Sequence, residues 1–261
     1  MNMKGLEIAA SKEARKIVTF IRDEVNSASA NGVVIGLSGG IDSAVVGALC
    51  VRALGKERVF ALALPTSHTP TRDADDAHDL ADSWDIRIEN VPITRIVESI
   101  IGAAKVEGGR VSRANVQARA RMTMLYYYAN SLGCLVPGTG DRSEELLGYF
   151  TKWGDGGADF LPIAHLYKTQ VRVLGAYLGI PASIVEKPSS PQLWPDHRAS
   201  DELPADYDQL DPVLHQLFDM KAKPRDAATK TGVPLGVVEK ALEMHRKSEH
   251  KRKLPPFLVP A

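Results

Sequence analysis

Residues 36–43 read GLSGGIDS and follow the apolar run Val33-Val34-Ile35. The adjacent glycines Gly39 and Gly40 can take positive φ and let backbone N–H groups approach another molecule closely. Apolar residues resume at Ala44, Val45, Val46, Ala48 and Leu49, a spacing that predicts a helix with Asp42 and Ser43 in its first turn. A strand, a glycine turn and a helix N-terminus suit a phosphate, because unpaired N–H groups and the helix dipole favour negative charge there. The stretch is not a Walker A loop, which needs four residues between its glycines and then Lys-Ser/Thr. An aspartate, Asp42, stands where the lysine would be. A carboxylate beside a phosphate repels it unless a divalent cation lies between, so Asp42 implies magnesium bridging carboxylate and phosphate oxygens. The glycines alone suit an ordinary βα turn equally well.

Further charged groups gather downstream. The segment 112–130 carries Arg113, Arg119 and Arg121 with Gln117, and arginines near a phosphate loop can clamp a nucleotide in bidentate fashion. A solvated helix face accounts for Arg113 as readily. In GTGDRSEE (138–145), Thr139 and Glu144 follow a predicted strand end, so the Glu144 carboxylate could reach the same cation as Asp42; as a first-turn residue it could equally answer only the helix dipole. The segment FTKWGDGGADFLP (150–162) sets Lys152, Asp155 and Asp159 among three glycines, which suits a loop folded over a ligand or a flexible surface hairpin. Lys168 opens a helix and could meet phosphate, or be an exposed lysine. His250 and Lys251 lie in SEHKRK, which also reads as a solvated basic tail.

The elements that must position these groups alternate. Leu6–Val25 carries a helical apolar stripe. Val33–Leu37 reads as strand, Ser43–Leu54 as helix, Val59–Leu64 as strand, Asp73–Trp84 as helix and Ile86–Val91 as strand. That alternation predicts an α/β fold, a doubly wound parallel sheet with helices on both faces and ligands beyond the carboxyl ends of its strands. Helices over Ile93–Ile101, Ser112–Asn130 and Tyr167–Leu178 follow, with a brief strand at Leu135-Val136. Five prolines between 187 and 212 predict a long irregular loop or lid, and helices Pro212–Met220 and Pro234–Lys247 come after it.

Composition narrows the partners. Lys and Arg number 32, Asp and Glu also 32, so no polyanion such as nucleic acid is implied. Cys50 and Cys134 suit reduced thiols in a reducing compartment. No signal peptide or membrane-length apolar run is apparent, and a cytoplasmic location is expected. At 261 residues the chain suits one large domain, or a domain with extensions.

Five ordered motifs draw these parts together: ANVQARARM (114–122), GTGDRSE (138–144), YFTKWGDGGADFLPI (149–163), LYKTQV (166–171) and SEHKR (248–252). With SGG-x-DS, a mark of the wider N-type ATP pyrophosphatase superfamily, they make the chain resemble the ammonia-dependent NAD synthetases from about residue 6 to residue 257. The resemblance implies an adenine nucleotide alpha hydrolase-like sheet. It further implies that Gly36, Leu37, Ser38, Gly39, Gly40, Ile41, Asp42 and Ser43 form the ATP loop, with Thr139, Lys168 and Ser190 as further ATP contacts. Asp42 and Glu144 would be ligands of Mg2+. Arg119, Lys152, Asp159, His250 and Lys251 would hold deamido-NAD, Asp155 would lie near incoming ammonia, and Lys168 would offset charge at the α-phosphate. A homodimer with the substrate site across its interface is implied too. The reaction implied runs through an acyl adenylate, with AMP and pyrophosphate as by-products.

Two departures stand out. The family's Asp-Glu pair in the lid aligns with Ala199 and Ser200, inside PDHRASDELP, and the family's frequent Asn in GTGNRSE is Asp141. A glutamine-hydrolysing domain would add on the order of 100 residues or more, so residues 1–261 are expected as one synthetase domain using free ammonia or ammonia from a separate protein. Two alternatives stay open: another adenylating amide synthetase of the superfamily, and a non-catalytic nucleotide sensor.

Overall fold

A computed structural model describes residues 5–194 and 197–258. Three strands, β1 (Val33–Gly36), β2 (Val59–Ala63) and β3 (Arg87–Asn90), lie parallel in the order β1-β2-β3. Their register sets Val33 beside Val59 and Phe60 beside Arg87. Parallel bridges Val33–Leu135 and Pro137–Phe160 carry the sheet beyond β1 on its other side. The strand expected at Leu135-Val136 is therefore reduced to bridges, for a local reason. Pro137 has no N–H to donate, and the N–H of Val136 goes to the Asp159 carboxylate at 2.7 Å.

Alternation along β1 covers both faces of the sheet. Val33 and Ile35 join α1 (Ala10–Ser27), α2 (Ile41–Leu54), α3 (Thr71–Ser83) and α7 (Lys168–Leu178) in one core. Val34, with Leu62 of β2, joins α4 (Thr94–Gly102) and α5 (Arg110–Leu132) in another. Helices thus flank both faces of a parallel sheet, as the alternating pattern predicts. Each fully buried Val or Ile of β1 stabilises by roughly 1.5–3 kcal/mol, so the strand that feeds the glycine turn is held from both sides. The helix after that turn is buried almost all round, from Ile41 through Cys50 apart from Asp42, and its small residues Ala44, Gly47 and Ala48 allow the close approach.

The remaining helices are α6 (Arg142–Leu147), α8 (Ala182–Val185), α9 (Tyr207–Leu214), α10 (Pro224–Thr231) and α11 (Leu235–Lys247). The irregular lid spans 187–206 with one 3-10 turn at Ala199–Asp201, and Pro195 and Asp196 of its divergent segment lie outside the described residues. The helix expected from Pro212 begins instead at Tyr207 and runs into a π-helical turn, His215–Asp219. Tyr207, Leu210 and Leu214 form its buried stripe against Leu6, Leu147 and Tyr167. Pro212 has no N–H for the carbonyl of residue 208, four before it, and Asp208 is an exposed residue of the first turn. Helix α10 also goes beyond the sequence expectation, although Pro224 at its first position and Gly232 at φ 73° just after it are start and stop signals. Among the described residues no helix is long and apolar enough to cross a membrane.

Candidate active site

The glycine turn closes on its own serines. Ser38 N–H donates to Ser43 Oγ at 3.2 Å, the two hydroxyls lie 3.1 Å apart, and Gly40 N–H donates to Ser38 Oγ at 3.3 Å. Gly39 has φ +73°, and a Cβ there would stand 2.2 Å from the Asp73 carbonyl oxygen. Only glycine fits, for backbone conformation and for space alike.

Beyond this turn the chain assembles a charge cluster from three elements. Lys168, the first residue of α7 and 1% exposed, places Nζ 2.6 Å from Asp42 Oδ2, 2.9 Å from Glu144 Oε1 and 3.2 Å from Asp141 Oδ2. The carboxylates arrive by local rules. Asp42 lies in the first turn of α2, while Asp141 and Glu144 form the capping box of α6. In that box Asp141 Oδ1 accepts the Glu144 N–H at 2.8 Å and Glu144 Oε2 accepts the Asp141 N–H at 3.3 Å. Asp211 of α9 fixes the spacing of α6 and α7, accepting the Ser143 hydroxyl at 2.6 Å and the Thr169 N–H at 2.8 Å. Ser143 Oγ in turn accepts the Lys168 N–H at 3.0 Å.

The electrostatics follow from burial against pairing. Burial works against the Lys168 ammonium, but Asp141, Asp42 and Glu144 outweigh it and hold its pKa well above the ordinary value. Burial pushes the Asp141 carboxyl well up and the Glu144 carboxyl up to about 7, in each case against the pull of Lys168. Asp42 Oδ1 is buried with no hydrogen-bond partner. Among the described residues no group of three or more His, Cys, Asp or Glu side chains is arranged to hold a metal ion by itself. The point on which Asp42 and Glu144 converge is held by the Lys168 ammonium; the orphaned Asp42 Oδ1 is the carboxylate oxygen left to meet a magnesium ion whose remaining ligands come from phosphates.

These groups border a cavity of about 1330 Å³, above the range of drug-sized pockets and wide enough for more than one nucleotide. Of the expected ATP contacts, Gly36, Leu37, Ser38, Gly40, Ile41, Asp42, Ser43, Thr139, Lys168 and Ser190 line it, as does Glu144. Gly39 does not: its face is turned to α3. Lys152, Asp155 and Lys251 also line it. Asp155 Oδ1 accepts the Thr151 N–H at 3.0 Å, and burial raises its pKa against that bond and against Lys251. Lys251 Nζ donates to the carbonyls of Gly148 (2.7 Å) and Phe150 (2.6 Å).

Three expected substrate contacts, Arg119, Asp159 and His250, are not in the cavity wall. Arg119 donates through Nε and Nη2 to the Lys152 carbonyl, at 3.3 and 3.2 Å. Asp159 accepts the Val136 N–H and, at 3.1 Å, the Tyr126 hydroxyl. His250 offers its carbonyl to Lys152 Nζ at 2.6 Å. Sequence reasoning missed the part of Asp141 in the cluster, although Asp-x-x-Glu is a visible capping pattern. It also missed Ser143, Asp211 and Lys187, which no local signal marks, because their partners are distant in the chain.

The sequence model of the NAD synthase family matches residues 13–255. The NH(3)-dependent NAD(+) synthetase of Hyperthermus butylicus is 52% identical over 249 residues, 95% of this chain and 90% of the relative. Among solved structures, an NMN synthetase from Francisella tularensis superposes with TM-score 0.86 at 34% identity, covering 97% of this chain and 99% of its own. An NH3-dependent NAD synthetase from Campylobacter jejuni does so with TM-score 0.83 at 32% identity, covering 97% and 100%.

Proposed function

The chain belongs to the NAD synthase family, and we propose that it amidates deamido-NAD with ammonia at the expense of ATP, through an acyl adenylate formed in the cavity beside the glycine turn. The observation that carries this reading is the convergence of Asp42 and Glu144 on Lys168 next to a turn built for phosphate. A carboxylate is a poor acyl donor. The nicotinate carboxylate therefore attacks the α-phosphorus, the bond to the bridging oxygen breaks, and pyrophosphate leaves with the electron pair. Ammonia then adds to the acyl carbon and AMP departs.

This chain's residues supply the positions. The N–H groups of Ile41, Asp42 and Ser43, which open α2 and have no partner within the helix, meet phosphate oxygens and favour the charge that grows on the leaving group, an interaction stronger in the transition state than in the ground state. Lys168, held by its three carboxylates, offsets charge at the α-phosphate. Asp155, made more basic by burial, orients ammonia and accepts the proton it gives up. Asp42 and Glu144 would hold magnesium, which neutralises phosphate charge when bound with ATP.

Lys152 and Lys251 contact the dinucleotide from one chain. Arg119, Asp159 and His250 lie off that wall, an arrangement suited to a site completed across a two-fold interface; exposed Val111, Tyr127 and Leu132 of α5 offer apolar surface for such a homodimer. Two free thiols, Cys50 and Cys134, suit the cytoplasm.

Product analysis tests the reading. Incubation with ATP, ammonia, magnesium and deamido-NAD is expected to yield NAD, AMP and pyrophosphate in equal amounts; ADP and phosphate would reject it. Since one structural neighbour is an NMN synthetase, the mononucleotide counterpart belongs in the same assay. Preferential turnover of that compound would reassign the substrate while leaving the chemistry intact.

A further inference from the structure

Lys187 begins the lid and lines the cavity, yet its ammonium is turned to the underside of the glycine turn. Nζ donates to the Gly39 carbonyl at 2.8 Å, to Asp73 Oδ1 at 2.6 Å and to Asp76. The side chains are nearly dry: Lys187 is 18% exposed, Asp73 7% and Asp76 15%. Gln192, also of the lid, donates to the second Asp73 oxygen. Lid, glycine turn and the first turn of α3 therefore meet at one ammonium.

The consequence lies in the peptide between Gly39 and Gly40. It is planar and trans, so its carbonyl and its N–H point in opposite directions. With glycine on both sides, little steric resistance opposes a flip of that plane. A charge-assisted bond from Lys187 fixes the carbonyl outward. The Gly40 N–H is thereby fixed on the other side, where it meets Ser38 Oγ at 3.3 Å on the cavity wall.

We propose that Lys187 is a positioning residue that locks the Gly39–Gly40 peptide with its N–H on Ser38 Oγ at the cavity wall, holding the shape of the phosphate turn and tying the lid to it. The inference rests on the reading of residues 36–43 as the ATP loop. Lys187 touches no reacting atom; it acts through the orientation of one amide and through a carbonyl shared by lid and loop. Gln at this position keeps a donor for the carbonyl and loses the charge, whereas Met loses both.

The full-length protein and the variants K187Q and K187M are titrated calorimetrically with ATP and magnesium, and separately with deamido-NAD. Amide hydrogen exchange is followed in the peptide covering 36–43. ATP affinity is expected to fall in the order wild type, K187Q, K187M, with the last at least about tenfold weaker. Exchange at 36–43 is expected to quicken in the same order, while deamido-NAD affinity stays within about twofold. Equal ATP affinity in all three would overturn the proposal. So would a parallel loss for both ligands with a lowered melting temperature, the signature of a merely structural ion pair. Should K187M fail to fold, K187Q decides by the same criteria. A wild-type protein that itself binds no ATP would instead overturn the assignment of the loop, and the proposal with it.

Discussion

Around Lys168, side chains answer side chains: three carboxylates from α2, the α6 cap and α6 itself converge on one buried ammonium. Around the 150–159 loop, side chains answer the backbone instead. Arg119, Lys152 and Lys251 all donate to carbonyls, and Asp155 and Asp159 accept backbone N–H groups. The first region is a reservoir of opposed charge whose energy depends on every member being present. The second is a shaped wall whose charged groups set the course of the chain. Deleting a charge should therefore injure the first region thermodynamically and the second geometrically.

Lys168→Met puts that difference to its hardest test. Three carboxylates would face one another without a counter-charge, and removing one partner of a buried ionic group typically costs about 3–5 kcal/mol. Activity is expected to fall by on the order of 10³-fold or more, since transition-state charge loses its partner. The cost should also depend on pH. Glu144 is raised from 4.5 to about 7 even with Lys168 present, so the folded variant binds protons more tightly than its unfolded chain. Its stability is thus fully present below the ordinary carboxyl range and is lost as pH rises through the raised values. Urea unfolding of variant and wild type at pH 5 and pH 8 measures the gap. A gap that does not widen with pH would show that the cluster is not held by opposed charge.

Asp155→Asn breaks the comparison in the other direction. Burial raises the Asp155 pKa in the folded state, so stability is fully present below the ordinary value of 3.8, where the group is protonated, and is lost as pH rises through the raised one and the buried carboxyl must ionise. Asparagine keeps an oxygen for the Thr151 N–H and has no charge to bury. At neutral pH the variant is expected to melt at a higher temperature than wild type, while turnover with ammonia falls by about 10²-fold. Calorimetric melting together with single-turnover amidation checks both halves, and a variant both less stable and fully active would remove Asp155 from its role.

How far the sequence foretold these regions follows the range of the interactions. The turn 36–43 was legible because its chemistry is local: glycines for a conformation, a helix start for the dipole, an aspartate for a cation. The alternating strands and helices were legible for the same reason, as period and punctuation act within a few residues. The cluster was half legible. Asp42, Glu144 and Lys168 each carried a local cue, but that the two carboxylates share the Lys168 ammonium with Asp141 is a fact of packing between residues as far apart as 42 and 168. Asp211 and Lys187 carried no cue, since a buried carboxylate and a lysine at the edge of a proline-rich stretch look ordinary until their distant partners are known. In α9, Pro212 misled because proline favours the first turn of a helix; the residue one turn earlier, Asp208, is exposed, and the helix runs through.

Arg119→Lys asks whether the second region is governed by shape. The guanidinium reaches the Lys152 carbonyl with two nitrogens, a fork that an ammonium on a flexible stem cannot reproduce. Charge is conserved, so an electrostatic role would survive. A geometric role predicts that KM for deamido-NAD rises by about tenfold, in keeping with roughly 1–2 kcal/mol for a lost charge-assisted bond. KM for ATP and the melting temperature should scarcely move, because Lys168 and its carboxylates share no contact with Arg119. Parallel increases in both KM values would erase the distinction between the two regions.

Glu202 offers the finest discrimination, because it belongs to neither pattern. It lines the cavity from the lid, accepts the Tyr149 hydroxyl at 2.9 Å and lies 2.9 Å from His197 Nε2. It also stands two residues after Ser200, in the 3-10 turn region of the lid. Glu202→Gln keeps an acceptor for the phenol and removes only the charge. If Glu202 serves to hold the lid against Tyr149, the change should weaken deamido-NAD binding by no more than about fivefold, the equivalent of roughly 1 kcal/mol. Its side chain is 38% exposed, so water would screen most of the lost charge and the melting temperature should stay put. A loss of about 100-fold confined to the dinucleotide would mean that the lid's carboxylate meets the substrate directly, and that this stretch works by charge, as the Lys168 cluster does, not by shape.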